Sequence, residues 1–284
     1  MASNGNQQNN GETVRLTLPA AFSGLQVLHA RFRRQTFPRH SHEGYGVGVI
    51  EAGALGFSYR GENLVAPAGR INTVNPGEVH TGQAAADQGW TYRMLYLSAA
   101  CVERMAEAIA DHPLPLPLLT RGVIDDPELA GLLRHAHVLL GDGHAARLAQ
   151  ETALLNVLAL LLARHTYEPP AMAAAGAEPE AVRRVIDYLD AHCGEDLGID
   201  TLAGVACLSP YHFIRVFARH TGLTPHAWLM QHRARKARQL LGQGVAIADV
   251  AAQTGFADQS HLTKTFKRFF GYTPGQLRNC VQDA

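Results

Sequence analysis

One stretch of this chain is written twice, and that repetition constrains the fold more than any other feature. Leu202-Ala203-x-x-Ala206-Cys207-Leu208-Ser209-Pro210-Tyr211-His212-Phe213-x-Arg215-x-Phe217 returns as Val250-Ala251-x-x-Thr254-Gly255-Phe256-Ala257-Asp258-Gln259-Ser260-His261-Leu262-x-Lys264-x-Phe266. A displacement of 49 positions lays His212 on His261, Arg215 on Lys264, Phe217 on Phe266 and Arg219 on Arg268. It also lays Gly222-Leu223-Thr224-Pro225 on Gly271-Tyr272-Thr273-Pro274. A unit copied at a fixed period folds as two similar supersecondary elements.

Each copy reads as a short helix, a tight turn and a second helix. In the first, Asp200 or Thr201 is placed to cap a helix carrying Leu202, Val205 and Ala206. Ser209 then caps a second helix with Pro210 at its first position, where the missing N–H costs nothing. Gly222 ends it. In the second, Ile247, Val250 and Ala251 share a face, Thr254-Gly255 turns the chain, Asp258 caps and Gly271 supplies a left-handed stop. A helix pair joined in this way is the helix-turn-helix arrangement, whose second helix enters the major groove of DNA.

The second helices divide cleanly by face. Phe213 and Phe217, and Leu262, Phe266 and Phe270, recur at i, i+4 and are the expected buried stripes. Tyr211, His212, Arg215 and Arg219 are left on one outer face, with Ser260, His261, Lys264 and Arg268 on the other. A single such face reads as a solvated surface. Two basic, donor-rich faces at equivalent positions read as DNA contacts. The candidates are Ser209, Tyr211, His212 and Arg215 in one groove and Gln259, Ser260, His261 and Lys264 in the next, with Arg219, Lys267 and Arg268 on phosphates.

These residues, together with Ile247-x-x-Val250-Ala251, Gly255-Phe256 and Phe266-Lys267, make residues 180–279 resemble the DNA-binding domain of the AraC/XylS family of bacterial transcription regulators. The resemblance implies two helix-turn-helix units joined by a long helix, here Pro225 to Leu241. About seventeen residues at 1.5 Å each span roughly 25 Å before the flanking turns, so two recognition helices set about 34 Å apart are within reach.

A chain of 284 residues has room for two domains with separate cores. Its 25 basic and 25 acidic side chains cancel, but unevenly along the chain. Residues 180–284 hold 12 Lys and Arg against 9 Asp and Glu, leaving 13 against 16 for residues 1–179. The mildly basic part is therefore the one carrying the repeat. Four widely spaced cysteines form no CxxC pair, so neither a zinc knuckle nor a disulfide framework is indicated. No apolar run approaches membrane-spanning length, and residues 1–12 read as a disordered polar leader without signal-peptide character. Cytoplasmic location follows as the expectation.

Residues 13–98 alternate in the manner of strands, with turn signals at Ala52-Gly53, Arg60-Gly61, Pro67-Ala-Gly69 and Asn75-Pro76-Gly77, which suggests a sandwich or small barrel. Trp90, Tyr92, Met94 and Tyr96 fall on one face of the last strand. Pro38-Arg39-His40-Ser41-His42-Glu43 and Asn75-Pro76-Gly77-Glu78-Val79-His80 resemble the His-x-His and Pro-x-x-x-His motifs of the cupin barrel, a domain usual before the paired helix-turn-helix in AraC-type regulators. Enzymatic cupins add a glutamate a few residues after His-x-His; here Glu43 comes at once, and positions 46 and 47 hold Gly46 and Val47. Three readings of His40, His42 and His80 stand open: structural histidines, part of an effector pocket, or ligands of a divalent ion such as Zn or Ni. Glu43, Tyr45, Trp90 and Arg93 complete the candidate effector site. No cofactor is required by the reading.

From residue 99 to 166 the period becomes helical. Helices are expected over Ala100–Ala110, from Pro127 to the break at Gly141-Asp-Gly143, and from about His144 to His165. Leu148, Leu154, Leu155, Leu158, Leu161 and Leu162 of the third give a stripe for packing onto the β domain, for dimerisation, or for both. Residues 167–179 read as a linker. In the connecting helix, His232-Arg233-Ala-Arg235-Lys236-Ala-Arg238 resembles a nucleic-acid patch, although helical geometry spreads its charges; some are expected to pair with acids between the subdomains.

The fold class expected is thus α+β: a cupin-like β-barrel with a helical dimerisation segment, then an all-α domain with two helix-turn-helix units. The function expected is a non-enzymatic, ligand-responsive activator. It acts as a homodimer on double-stranded promoter DNA, with a small-molecule effector and RNA polymerase as further partners and no membrane. The rival is a metal-dependent cupin enzyme, an isomerase or dioxygenase using His40, His42 and His80, which leaves the repeat unexplained.

Overall fold

A computed structural model describes residues 5–9, 11–110, 112, 114–171, 176 and 178–282. By internal contact the chain divides into two units: one of residues 1–145 and 153–173, the other of residues 146–152 and 174–284.

The first unit is built on ten antiparallel strands. They are β1 (Gly5–Asn9), β2 (Glu12–Thr17), β3 (Leu25–Phe32), β4 (Phe37–His40), β5 (Tyr45–Tyr59), β6 (Glu62–Pro67), β7 (Ile71–Val74), β8 (His80–Ala84), β9 (Trp90–Leu97) and β10 (Val123–Ile124). The fifteen-residue β5 organises them. Its first half lies between β9 and β7, and its second half pairs with β6 and β8. Between these halves the register against β9 slips at Ile50/Ala52 and Gly53 takes φ +69°, a left-handed value suited to glycine. The bulge turns the strand, so the sheet folds over an apolar interior containing Phe32, Ile50, Phe57, Trp90, Tyr92 and Met94.

The leader differs from expectation. Gly5–Asn9 pairs with β2 from Gly5↔Leu16 to Asn9↔Glu12, beside a turn with Gly11 at φ +81°. An edge strand offers unpaired N–H and C=O groups to any chain of extended shape, so polar composition does not prevent pairing. Residues 1–4 and 10 lie outside the described residues.

Three helices follow: α1 (Ala99–Ala110), α2 (Pro127–Gly141) and α3 (Arg147–His165). Asp126 caps α2 by accepting from the N–H of Leu129, with Pro127 at the first position. The leucine stripe of α3 is consumed within the chain. All six leucines are buried, at 2 % exposure or less, together with Val157 and Ala159. The stripe is therefore not a free dimerisation face; apolar atoms already buried gain nothing from a second subunit.

The second unit holds α4 (Pro179–Ala191), α5 (Ile199–Ala206), α6 (Pro210–Thr221), α7 (Pro225–Gly242), α8 (Ile247–Gln253), α9 (Gln259–Phe270) and α10 (Pro274–Gln282). Residues 146–152, the first turns of α3, group with this unit rather than with the rest of their helix. A side chain there supplies the cap of α5. The helix starts at Ile199, not after Asp200 or Thr201, and its N-cap Gly198 has no side chain to offer. The buried carboxylate of Glu151 accepts from the Ile199 N–H at 2.6 Å and pairs with Arg147 at 2.7 Å. Glu151→Ala leaves that N–H without its acceptor, and a loss of about 1–3 kcal/mol is expected by chemical denaturation. Glu151→Gln, which keeps an acceptor, should lose less.

Candidate functional site

The two copies of the repeat fold alike, with local differences at their turns. Cys207, at φ +58°, and Gly255, at φ +73°, are the left-handed residues. Two residues separate Cys207 from α6 and three separate Gly255 from α9. Both second helices end on left-handed glycines at equivalent positions, Gly222 and Gly271. Phe213, Phe217, Leu262 and Phe266 are fully buried. Phe270 is half-buried and rests against Phe266, with ring centroids 4.6 Å apart.

The outer faces bring most of the DNA candidates together. On α9, Gln259, Ser260, Lys264, Lys267 and Arg268 are exposed and His261 is half-buried beside the Phe256 ring. Asp258 caps this helix through the His261 N–H at 2.7 Å. On α6, Arg215 lies over the Tyr211 ring at 5.7 Å and Arg219 is exposed. Two α6 candidates are placed otherwise. The His212 side chain is 12 % exposed and its Nε2 lies 2.9 Å from the Glu178 carboxylate. Ser209 occupies the cap position, but its hydroxyl is buried without a partner and caps nothing. The sequence showed the face of the helix; it did not show Glu178, 34 residues earlier, folding over one side of it.

The basic run in α7 divides: His232 Nε2 lies 3.0 Å from the Asp190 carboxylate, as expected of a pairing with an acid, whereas Arg233 departs from expectation. Arg233 is 6 % exposed and meets no acid. Its guanidinium donates to three backbone carbonyls, those of Cys193 (2.6 Å), Glu195 (2.7 Å) and Gly255 (2.8 Å). The run is thus in part a structural tie between the segment joining α4 to α5 and the turn of the second helix-turn-helix unit.

In the β unit, a cavity of about 180 Å³ is walled by Phe32, Phe37, Phe57, Trp90, Tyr92, Met94 and Tyr96, with His40, His42 and His80 among its polar residues. His40 and His80 are direct cross-strand partners on β4 and β8. A wider outer cleft of about 640 Å³ shares His42 and Tyr96 with it and is lined by Glu43 and Tyr45. Glu43 is exposed; the Tyr45 hydroxyl donates to the Pro117 carbonyl at 2.7 Å, and burial pushes it up to about 12. Arg93 is a correction. Alternation along β9 sends it to the opposite face from Trp90, Tyr92 and Met94, where it approaches Glu51 (3.6 Å) and His137 Nδ1 (3.3 Å) under α2. Sequence reasoning missed Asn72, a lone amide in the strand Ile71-Asn72-Thr73-Val74 that reaches this cavity. Its signal was a polar residue in an otherwise buried four-residue strand.

Burial holds two histidines outside the cavity neutral. Desolvation, then the charge of Arg93 against the opposing Leu28 carbonyl and Glu51, brings His137 down to about 4. Desolvation with Arg233, His261 and Arg268 does the same for His226. The unfolded chain accepts protons on both below pH 6.5 while the folded chain refuses them until about 4. Stability should therefore be full above pH 6.5 and fall as pH drops toward 4, by up to about 1.4 kcal/mol per unit for each group. Urea titrations between pH 7 and 4.5 measure this; His137→Gln should flatten the β unit's share.

A sheet-built unit enclosing a small aromatic cavity, followed by two helix-turn-helix units with cationic outer faces, defines a DNA-binding regulator with a ligand-binding domain. A family model described as the AraC-like ligand binding domain matches residues 22–158, and one described as a helix-turn-helix domain matches residues 202–279. The HTH-type transcriptional regulator YbfI of Bacillus subtilis (strain 168), itself uncharacterized, is 31% identical over 240 residues, covering 84% of this chain and 86% of YbfI. The chain belongs to the AraC/XylS family of transcription regulators. The transcriptional activator RhaS of Salmonella paratyphi A is 24% identical over 261 residues, covering 89% of this chain and 91% of RhaS. Among solved structures, an AraC-type regulator from Chromobacterium violaceum is 25% identical with a TM-score of 0.35, covering 36% of this chain and 93% of its own. The relatives are transcription regulators, and nothing in these comparisons favours the cupin-enzyme reading. Among the described residues no helix is long and apolar enough to cross a membrane.

Proposed function

We propose that this regulator is a cytoplasmic, effector-controlled activator. Its two recognition helices, α6 and α9, read adjacent major grooves, while a small molecule in the β unit sets its affinity for DNA. The observation that carries the reading is the duplicated helix-turn-helix with cationic side chains at equivalent outer positions, Arg215 and Lys264. Lys267 and Arg268 on α9 and Arg219 on α6 serve as phosphate contacts. Ser260 and Gln259, at the exposed start of α9, are suited to base edges.

The β cavity supports the effector role, because a small, mostly aromatic enclosure with a few convergent polar groups is the usual form of a small-molecule site. A coupling of about 1–3 kcal/mol between cavity and DNA is enough for control. Activation, hence contact with RNA polymerase, is supported by the likeness to RhaS, whose name describes an activator. A homodimer is proposed for this class of regulator through a surface other than the α3 leucines; sedimentation equilibrium tests it, and a monomer at micromolar concentration would end it. The DNA reading is tested by retardation of duplexes selected from random sequence, scored with and without extracts of small metabolites. Selection that enriches no common site would remove it, and an enriched site whose affinity no metabolite fraction alters would remove effector control alone.

A further inference from the structure

The outer face of the β unit's sheet carries a cleft that neither the aromatic cavity nor the DNA-binding faces use. It encloses about 440 Å³ beside α2, with Arg15, Thr17, His29, Arg93 and His137 in its lining. Three of these stand in one row: Arg15 on β2 pairs with His29 on β3, and His29 pairs with Arg93 on β9. Side chains paired in this way share a sheet face, and strands lie about 4.8 Å apart, so two guanidiniums flank one imidazole across roughly 10 Å of backbone. Like charges set opposite one another repel, so the row costs stability unless something negative sits over it.

The acids nearby answer only part of that charge. Glu51 lies 3.6 Å from Arg93 but is held closer, at 2.7 Å, by Arg134. Asp142 lines the cleft, its carboxylate accepting from the His144 N–H at 3.0 Å. Arg15 reaches the Gly141 carbonyl at 3.4 Å, where the end of α2 adds roughly half a negative charge. Three guanidiniums against two carboxylates still leave the cleft positive. Burial, then the Arg93 charge, hold His29 below its ordinary value against the pull of Glu51, and Arg15 adds to the depression. Arg93 itself is aimed by His137. Nε2 of that ring lies 2.9 Å from the Leu28 carbonyl, which only accepts, so Nε2 carries the proton and Nδ1 offers its lone pair to the Arg93 guanidinium at 3.3 Å. A guanidinium fixed through one nitrogen keeps the rest of its fork for another acceptor.

We propose that Arg15, His29 and Arg93 form a second ligand site, for a phosphate monoester with a polar, sugar-like body. Forked guanidiniums match phosphate oxygens, and a dianion offsets two of them. The Thr17 hydroxyl is a further donor. Among the described residues the lining holds no aromatic ring besides the imidazoles, unlike the cavity on the other face, so it suits a polar body. Its volume falls in the range of small-metabolite sites.

The test titrates ribose 5-phosphate into the full chain, isotope-labelled at its histidines, in a buffer free of phosphate and sulfate. Wild type should bind saturably, and the His29 ring signals, assigned by their absence from His29→Gln, should move towards the protonated form. Arg15→Gln and Arg93→Gln should each bind at least about 10-fold more weakly. Arg15 is exposed, so its variant keeps the fold, and far-UV circular dichroism checks both. Wild-type affinity should rise as pH falls from 8 to 6.5, because the bound dianion favours a proton on His29, and His29→Gln should abolish that rise. Absence of saturable binding, or an Arg15→Gln variant that binds as tightly as wild type, would overturn the site. Inorganic phosphate binding as tightly as ribose 5-phosphate would overturn the monoester class, and a pH dependence that survives in His29→Gln would remove His29 from the site. None of these readouts involves DNA, so the regulator reading stands or falls separately.

Discussion

Arg233→Met should cost the C-terminal unit about 3–5 kcal/mol, the largest stability effect expected of any single substitution in its helices. The guanidinium is buried at 6 % exposure and satisfies three carbonyls from two different segments, Cys193 and Glu195 after α4 and Gly255 in the turn of the second helix-turn-helix. Methionine fills much of the volume but donates nothing, so three buried acceptors lose their donors at once. Arg233→Lys retains the charge but not the planar fork, and one ammonium cannot reproduce the three-way geometry; its loss should be intermediate. Denaturant unfolding of the full chain, followed by far-UV circular dichroism of its helices, reads this directly. A loss below about 1 kcal/mol for Arg233→Met would show that the tie is incidental. The glycine at the far end is equally constrained. Gly255 has φ +73°, and a Cβ there would fall 2.8 Å from the Arg233 guanidinium, so any larger residue meets both strain and a clash.

The second large effect concerns DNA. Arg215→Ala and Lys264→Ala should each weaken binding by about 1–3 kcal/mol, and the double variant by roughly the sum, since the two positions lie on separate helices in different copies of the repeat. Where the lost contact is to a phosphate, the salt dependence should fall by about one unit of slope. His212→Ala provides the contrast. Its imidazole is engaged with Glu178, so its loss should act on packing at the start of α4 and leave sequence preference unchanged. If His212→Ala alters which base is preferred while Arg215→Ala does not, the face assigned to α6 is wrong.

The architecture of the C-terminal unit was legible because its signals are local. Pro210, Pro225, Asp258, Gly222 and Gly271 mark helix ends through their own backbone preferences, and i, i+4 aromatics declare a buried face. The β unit was legible as alternation and turns, and that alternation already implied that Arg93 faces away from Trp90 and Tyr92. What escaped were partners distant in sequence. Glu151 caps a helix 48 residues later, Glu178 covers His212, and Arg233 seeks carbonyls rather than acids. The leucines of α3 showed that a broad face must be buried; composition could not say that the chain itself buries it. The three histidines were visible as motifs, whereas the cavity they share exists only once the fold brings β4 and β8 together.

The central claim is that both helix-turn-helix units read DNA together. Hydroxyl-radical footprinting on a selected duplex measures it most directly. The account predicts two protected patches on one face of the helix, about one turn or roughly 34 Å apart, the first lost in Arg215→Ala and the second in Lys264→Ala. A single patch, or two that survive both substitutions, would contradict it.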